Sequence, residues 1–231
     1  MPHSLARAAF MRGVIACLPL TFACAPWGLL AGSTAIDAQL TPAQSQGLSV
    51  LVFAGAAQLV AIGMIKGGAS VLSILLTTLL LTSQHLLYAM HLRPVVSPLP
   101  ANWRFGLGFL LTDEFFALVS SHDRQAFNRW YALGVGLCMY IGWNLFTLLG
   151  VMLGKSIPGL DQLGLEFSIA ATFIALITPV VRNVPTVICV AVSLISVVLF
   201  SYWQLESAIV LAGLAGMAAG YLSKRAGVFF E

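Results

Sequence analysis

Two adjacent carboxyl groups, Asp113 and Glu114, lie inside the apolar stretch Leu110-Leu-Thr-Asp-Glu-Phe-Phe-Ala117. In the middle of a membrane span, each charged side chain would raise the free energy of insertion into the bilayer by on the order of 3 kcal/mol. A carboxyl group in a low-dielectric site tends to keep its proton, whereas contact with water lets it ionise. The pair therefore indicates proton-coupling chemistry in which protonation and access to water are linked. The alternative is an amphipathic or re-entrant segment that keeps both acids in water.

A histidine with polar neighbours occurs in Thr82-Ser-Gln-His-Leu-Leu-Tyr88. In a helix, Thr82, His85 and Tyr88 share one face. Histidine titrates near neutral pH and can relay protons, so His85 is a candidate relay to the two carboxyl groups. A histidine at the membrane interface is the alternative. Because His85 and His91 are not spaced four residues apart, we predict no metal site.

Gln58 ends a run of small residues, Phe53-Ala-Gly-Ala-Ala-Gln58. Small residues let helices approach one another closely in a membrane. The amide of Gln58 could therefore bind a ligand or bond a neighbouring helix, and the sequence leaves both possibilities open. Asn144, beside Trp143, is a weaker candidate of the same kind.

The composition shows which kind of element must position these residues. The chain has 231 residues, of which 59% are apolar and 8% charged, against roughly 25% charged in a soluble domain. This excludes a soluble enzyme, a nucleic-acid-binding protein and a disordered chain. The four cysteines lie in apolar stretches without a CxxC pair, so no disulfide or metal framework is expected.

Apolar segments near the length of a bilayer-spanning helix predict an all-α, polytopic membrane bundle. We expect one membrane transport domain, 1–231, that begins with a cytoplasmic segment, 1–12. With the N-terminus in the cytoplasm and eight crossings, eight basic residues lie inside and three outside, which favours cytoplasmic placement of both ends. If 105–122 does not cross, this bias reverses. The predicted spans are 13–35, 48–65, 70–90, 105–122, 130–153, 164–181, 184–202 and 206–222.

Prolines and glycines interrupt several spans, as they do in transporters that place substrate sites at broken helices. We expect a substrate site between spans one, two and six, where helix ends freed by Pro19, Pro26 and Pro179 offer N–H groups to a carboxylate. Phe22, Phe53 and Phe173 would line its apolar part. A faint repeat at an offset of 116 residues, which pairs Trp27 with Trp143, relates about 13–122 to 130–222.

The three motifs together resemble the AzlC family, the large subunits of branched-chain amino-acid exporters. The resemblance runs from about Gly13 to Gly220 and rests on Phe53–Gln58, His85–Tyr88 and Leu111–Ala117. The family usually has Asn-x-Arg-His before Leu-Tyr, whereas this chain has Gln84 in place of the arginine. That difference bears on substrate preference and on any salt bridge to Asp113 or Glu114.

The resemblance implies export of valine, leucine or isoleucine across the cytoplasmic membrane, together with a small AzlD-type membrane subunit. It implies no cofactor, and it implies the proton gradient as the energy source. The chain contains no GxxxxGK[ST] motif, so ATP is not expected to drive it directly. A channel or scaffold, or a membrane enzyme using His85, Asp113 and Glu114, are the alternatives. The expected coupling residues are these same three, and the expected substrate-binding residues are Gln58, Gly55, Phe53, Pro26, Phe22, Tyr88 and Asn144.

Overall fold

Helices form all the regular secondary structure among the described residues of this computed structural model, which confirms the all-α class. The structure describes residues 3–120, 127–154, 174, 178, 181–203, 205 and 208–226. The contacts divide the chain into two compact units, Met1–Thr172 and Phe173–Glu231. Organisation as one transport domain stays a prediction, and each unit is described by itself.

The described part of the first unit contains nine helices. They are α1 (His3–Ala23), α2 (Ala25–Asp37), α3 (Pro42–Leu51), α4 (Gly55–Lys66), α5 (Val71–Thr82), α6 (Gln84–Val96), α7 (Ala101–Phe109), α8 (Asp113–Ser120) and α9 (Arg129–Gly154). The second unit contains α10 (Val184–Tyr202) and α11 (Ala208–Arg225). Gly216 and Gly220 of α11 pack against Cys189 of α10, so these two helices form a close pair.

Four of the described helical stretches are long and apolar enough to cross a bilayer: Ser4–Ala23, Val71–Val96, Arg129–Gly154 and Val184–Tyr202. The helix Gly55–Lys66 is apolar but shorter. Neither α5 nor α10 has a buried residue within the described structure. Such exposed leucine- and valine-rich surfaces are what a bilayer covers, because lipid tails are as apolar as these side chains.

The predicted spans correspond to helical stretches of the described residues, and several of them contain a break. Predicted spans 130–153 and 184–202 coincide with α9 and α10 within one residue. Four predicted spans, 13–35, 48–65, 70–90 and 105–122, are each divided between two helices. Span 206–222 corresponds to α11, and span 164–181 lies outside the described residues except for positions 174 and 178.

The break in the first span differs from the prediction. Pro19 lies inside α1 without ending it, and the interruption comes at Cys24. Pro26, the second residue of α2, explains that position because it has no N–H to donate to the carbonyl of Phe22. The prediction that Pro19 frees a helix end is therefore wrong. A helix does begin beside Pro26, and its role towards a substrate stays a prediction.

The α1–α2 pair packs against α9, and the two segments run in the same direction. Towards one end, Gly13 meets the carbonyl of Tyr131, and Gly134 meets the carbonyl of Phe10. Towards the other end, Gly32 meets the carbonyl of Thr147, and Gly150 that of Leu29. A Cβ atom at any of these four positions would collide with the backbone of the facing helix. Because glycine has no Cβ atom, the helices can approach to backbone contact.

Candidate functional site

Breaks in four successive helix pairs surround one cavity in the first unit. They lie at Cys24, at 52–54, at Ser83 and at 110–112. The cavity has a volume of about 40 Å³, and α9 closes it with Met139 and Trp143. Its walls are formed by Trp27, Phe53, Ala54, Gly55, Ala56, Ala57, Leu81, Thr82, Gln84, His85, Thr112, Asp113, Glu114, Met139 and Trp143.

The size of this cavity decides what it can hold in this conformation. A water molecule needs about 10–15 Å³ on the same measure, so about 40 Å³ admits a few waters but not an amino acid. In this conformation the cavity is therefore too small for an amino acid. Entry of a larger molecule requires the helices to move, and the breaks are the places where such motion can occur.

An uncapped helix start faces the cavity at α4. Phe53 precedes it with a φ of +45°, a left-handed conformation that costs a non-glycine residue on the order of 1–3 kcal/mol. The N-cap residue, Ala54, has no side chain that can cap the helix. The first N–H groups of a helix lack intrahelical partners and carry a partial positive charge. The stretch Gly55–Ala57 can therefore bind an anionic group.

Gly55 lies in a tight space between two tryptophans. A Cβ atom there would be 3.0 Å from the ring of Trp143 and 3.1 Å from that of Trp27. The two rings pack edge to face with centroids 6.5 Å apart. These are the residues that the proposed 116-residue repeat pairs. The glycine lets the start of α4 approach both aromatic walls of the cavity.

Asp113 is held by two neutral donors. The hydroxyl of Tyr88 donates to Oδ1 at 2.6 Å, and the amide of Gln84 donates to Oδ1 at 3.0 Å and to Oδ2 at 3.4 Å. No Lys or Arg pairs with Asp113 in the part of the chain that the structure describes. The carboxylate is thus positioned without a cation to neutralise it.

Glu114 is more buried than its neighbour. Its side chain is 8% exposed, and Oε1 accepts a hydrogen bond of 3.4 Å from the thiol of Cys24. The hydroxyl of Thr112 and the backbone N–H of Glu114 are further donors to this carboxyl group. Of the two acids, Glu114 is therefore the one more removed from water.

Both acids lie at the break inside predicted span 105–122, where they form the first turn of α8. Their depth in the membrane stays a prediction. Thr112 accepts from the backbone N–H of Phe115 at 3.3 Å and so caps this helix. Carboxylates in a first turn interact favourably with the helix dipole. A threonine followed by two acids is a helix-start pattern, and it could have located this break from the sequence.

His85 lies at the same cavity, one turn before Tyr88. Its Nδ1 is 2.9 Å from the carbonyl oxygen of Thr82, and its ring centroid is 5.8 Å from that of Tyr88. Through Tyr88, the histidine is connected to Asp113. The predicted coupling residues His85, Asp113 and Glu114 are therefore brought together, although their roles stay a prediction.

Gln58 lies behind the cavity wall. It is 1% exposed, and its Oε1 accepts from the indole of Trp143 at 3.3 Å and its Nε2 donates to Ser49 at 2.8 Å. Ser49 in turn donates to Thr147 at 2.9 Å. This network joins α3, α4 and α9. Of the two possibilities that the sequence left open, the contacts favour bonding of neighbouring helices.

The other predicted substrate residues are divided between the cavity and more distant places. Gly55 and Phe53 line the cavity, and Tyr88 reaches it through Asp113. Phe22 is 65% exposed and does not line the cavity. Pro26 lies at the break between α1 and α2 and does not line the cavity either. Asn144 bonds Gln46 at 2.9 Å. The predicted contributions of Phe173 and Pro179 lie outside the described residues.

Comparisons with known proteins are consistent with this arrangement. The family described as "AzlC protein" matches residues 19–157, a range that contains every residue lining the cavity. The inner membrane protein YgaZ of Escherichia coli is 27% identical, with 97% of this chain and 93% of that protein covered. An uncharacterized membrane protein of Archaeoglobus fulgidus is 31% identical over 77% of this chain and 78% of its own length. No solved structure matches significantly.

Proposed function

Because this chain belongs to the AzlC family of membrane proteins, we propose that it is the large subunit of a secondary exporter of branched-chain amino acids. The observation that carries the proposal is that one cavity is lined by an uncapped helix start and by two carboxyl groups that have no Lys or Arg partner among the described residues. An amino acid carries one carboxylate and one ammonium group, so it requires both kinds of partner at once.

The cavity suggests a specific orientation for the substrate. Its carboxylate would accept from the first N–H groups of α4, at Gly55–Ala57. Its ammonium group would lie at Asp113 or Glu114. The aliphatic side chain would then pack against the aromatic rings of Trp27 and Trp143, which suits valine, leucine or isoleucine better than a charged side chain.

We propose that protons drive export through Glu114, with Asp113 as the anchoring partner and His85 as a relay. In this conformation, the carboxyl group of Glu114 is buried, and the thiol of Cys24 is one of its donors. Opening of the cavity to water would favour its ionisation, because water stabilises the charged form. Motion at the four breaks would thereby link proton release to substrate access.

The proposed setting is the cytoplasmic membrane, with both termini in the cytoplasm and a small AzlD-type membrane subunit as partner. The parallel packing of α1–α2 and α9 supports the eight-span topology. If both of these segments cross the membrane in the same direction, an odd number of crossings lies between them. Predicted spans two, three and four satisfy this condition when 105–122 crosses.

Leucine counterflow in proteoliposomes tests this function. Vesicles containing the chain together with its small subunit, and preloaded with unlabelled leucine, should transiently concentrate external labelled leucine. Valine and isoleucine should compete for uptake, whereas lysine should not. Vesicles with the Gly55→Trp variant, which fills the cavity, serve as the control. Passive equilibration without transient concentration would indicate a channel, and no movement of label would indicate a scaffold or an enzyme.

A further inference from the structure

A groove separate from the cavity at Asp113 and Glu114 lies between α6 and α7. It has a volume of about 550 Å³, which is within the range of roughly 300–1,000 Å³ that is typical of small-molecule sites. Its walls are mostly apolar, and two arginines, Arg93 and Arg104, belong to the same lining. We call this feature the α6–α7 groove.

The two arginines lie at one end of the α6–α7 groove. The chain leaves α6 after Val96 and enters α7 at Ala101, so Arg93 and Arg104 flank the connecting turn. Both side chains are exposed, and neither forms an ion pair among the described residues. The opposite end is formed by Leu86, Leu111 and Phe115. One end is therefore cationic and the other apolar.

We propose that the α6–α7 groove binds one anionic phospholipid, with the phosphate at the two arginines and an acyl chain along the apolar wall. Guanidinium groups bind phosphate oxygens through paired hydrogen bonds. A free phosphate ion would leave the apolar wall uncovered. A zwitterionic lipid carries a cationic group next to its phosphate, so it gains less from two positive charges.

The apolar end of the α6–α7 groove adjoins the carboxyl groups along the chain. Leu86 follows His85, Leu111 precedes Thr112, and Phe115 follows Glu114. An acyl chain in the groove would pack behind the start of α8 and the start of α6. The lipid would thus stabilise the packing of α6 and α8 that forms the hydrogen bond between Gln84 and Asp113, whichever substrate the protein carries.

Native mass spectrometry of the full chain, released from micelles containing phosphatidylglycerol or phosphatidylcholine, tests the proposal. We expect one retained phosphatidylglycerol and little phosphatidylcholine. The Arg93→Gln/Arg104→Gln variant should bind phosphatidylglycerol about 30-fold more weakly, since each basic residue at an anionic lipid surface contributes about 1 kcal/mol. The matched control Arg12→Gln/Lys66→Gln removes two exposed charges elsewhere and should retain the lipid. Equal loss in both variants, or equal retention of the two lipids, would overturn the proposal.

A second pair of variants tests the acyl-chain part of the groove. A Cβ atom at Gly108 or at Gly106 would meet nothing within 4 Å, and only Gly108 lines the groove. Gly108→Leu should therefore fold and lose phosphatidylglycerol, whereas Gly106→Leu should keep it. Displacement of the lipid by inorganic phosphate alone would contradict the acyl-chain contact. Retention of a partner protein at the groove in place of lipid, abolished by Arg93→Gln/Arg104→Gln, would also overturn the proposal.

Discussion

The amide of Gln84 donates to both carboxylate oxygens of Asp113, at 3.0 and 3.4 Å. Gln84 stands where the resemblance to the AzlC family leads us to expect an arginine. A neutral amide orients the carboxylate as an arginine would, but it leaves the negative charge in place. That charge remains available to a cationic substrate group, which is one reason to expect this chain to differ from relatives that carry the arginine.

Substitution of Gln84 tests whether this pair holds α6 to α8. Gln84→Leu leaves the carboxylate with Tyr88 alone, so we expect the free energy of unfolding to fall by about 1.5–3 kcal/mol. Gln84→Arg can donate to the same two oxygens and should retain or increase stability. Thermal unfolding of the purified chain measures both. Equal stability of the two variants and wild type would show that the bond contributes nothing to the fold.

The two carboxyl groups should respond differently to neutral replacement. Glu114→Gln keeps the shape of the buried side chain and removes its ionisable proton, so we expect it to fold, to keep leucine counterflow and to lose proton-driven accumulation. Asp113→Asn replaces one carboxylate oxygen by an NH2 group, so a single oxygen remains to accept from Tyr88 and Gln84. We expect this variant mainly to have a lower free energy of unfolding, by about 1–3 kcal/mol. Transport with and without a pH gradient separates these effects. Normal accumulation with normal pH dependence in both variants would exclude both carboxyl groups as carriers of the coupling proton.

A methyl group at Gly55 should narrow the proposed substrate site. The added carbon would lie 3.0–3.2 Å from the rings of Trp143 and Trp27, so a substrate that packs there must shift. We expect Gly55→Ala to bind leucine at least about tenfold more weakly, equivalent to about 1.4 kcal/mol. Gly63→Ala, on the same helix with nothing within 4 Å, is the matched control. Unchanged leucine affinity in Gly55→Ala would place the substrate elsewhere.

The buried amide of Gln58 should act on binding through Trp143. Gln58→Leu removes the acceptor of the indole N–H and a partner of Ser49, so we expect a loss of about 1–3 kcal/mol of stability. If Trp143 shifts, affinity for valine, leucine and isoleucine should fall together. Equilibrium binding of each amino acid measures this, and Gln46→Leu, which breaks a bond to Asn144, serves as the control. Unchanged affinity would make Gln58 a packing residue.

The topology predicts the location of the chain ends. A reporter that is active only in the cytoplasm should be active when it is fused after Glu231, because the basic residues favour cytoplasmic ends. A reporter inserted in the turn between α6 and α7, at Pro98, should show the opposite location. A periplasmic result for the fusion after Glu231 would contradict the eight-span arrangement.

The sequence predicted continuous helices better than interrupted ones. Arg129–Gly154 and Val184–Tyr202 are long, apolar and without an internal break, so their length and composition are sufficient evidence. The break at Ser83 has no proline or glycine beside it, and tertiary contacts such as the bond between Gln84 and Asp113 accompany it. Local sequence does not encode such contacts.

The candidate site was predicted in its chemistry but only partly in its geometry. His85, Asp113 and Glu114 were identified because polar residues are costly in a membrane, and the structure places them at one cavity. The directions of Gln58 and Phe22 depend on which helix packs beside them. Phe22 has an aromatic side chain suited to a binding site, yet it faces outwards beside Phe146.

The backbone contact between α1–α2 and α9 has a consequence for synthesis of the protein. Gly32 and its counterpart Gly150 are separated by 118 positions in the chain. At about 5–20 residues per second, a ribosome needs roughly 6–24 s to make that length. During this interval the glycine surface of the first span has no native partner in the bilayer. A nascent chain stopped before α9 would therefore keep its first span exposed to quality-control proteases.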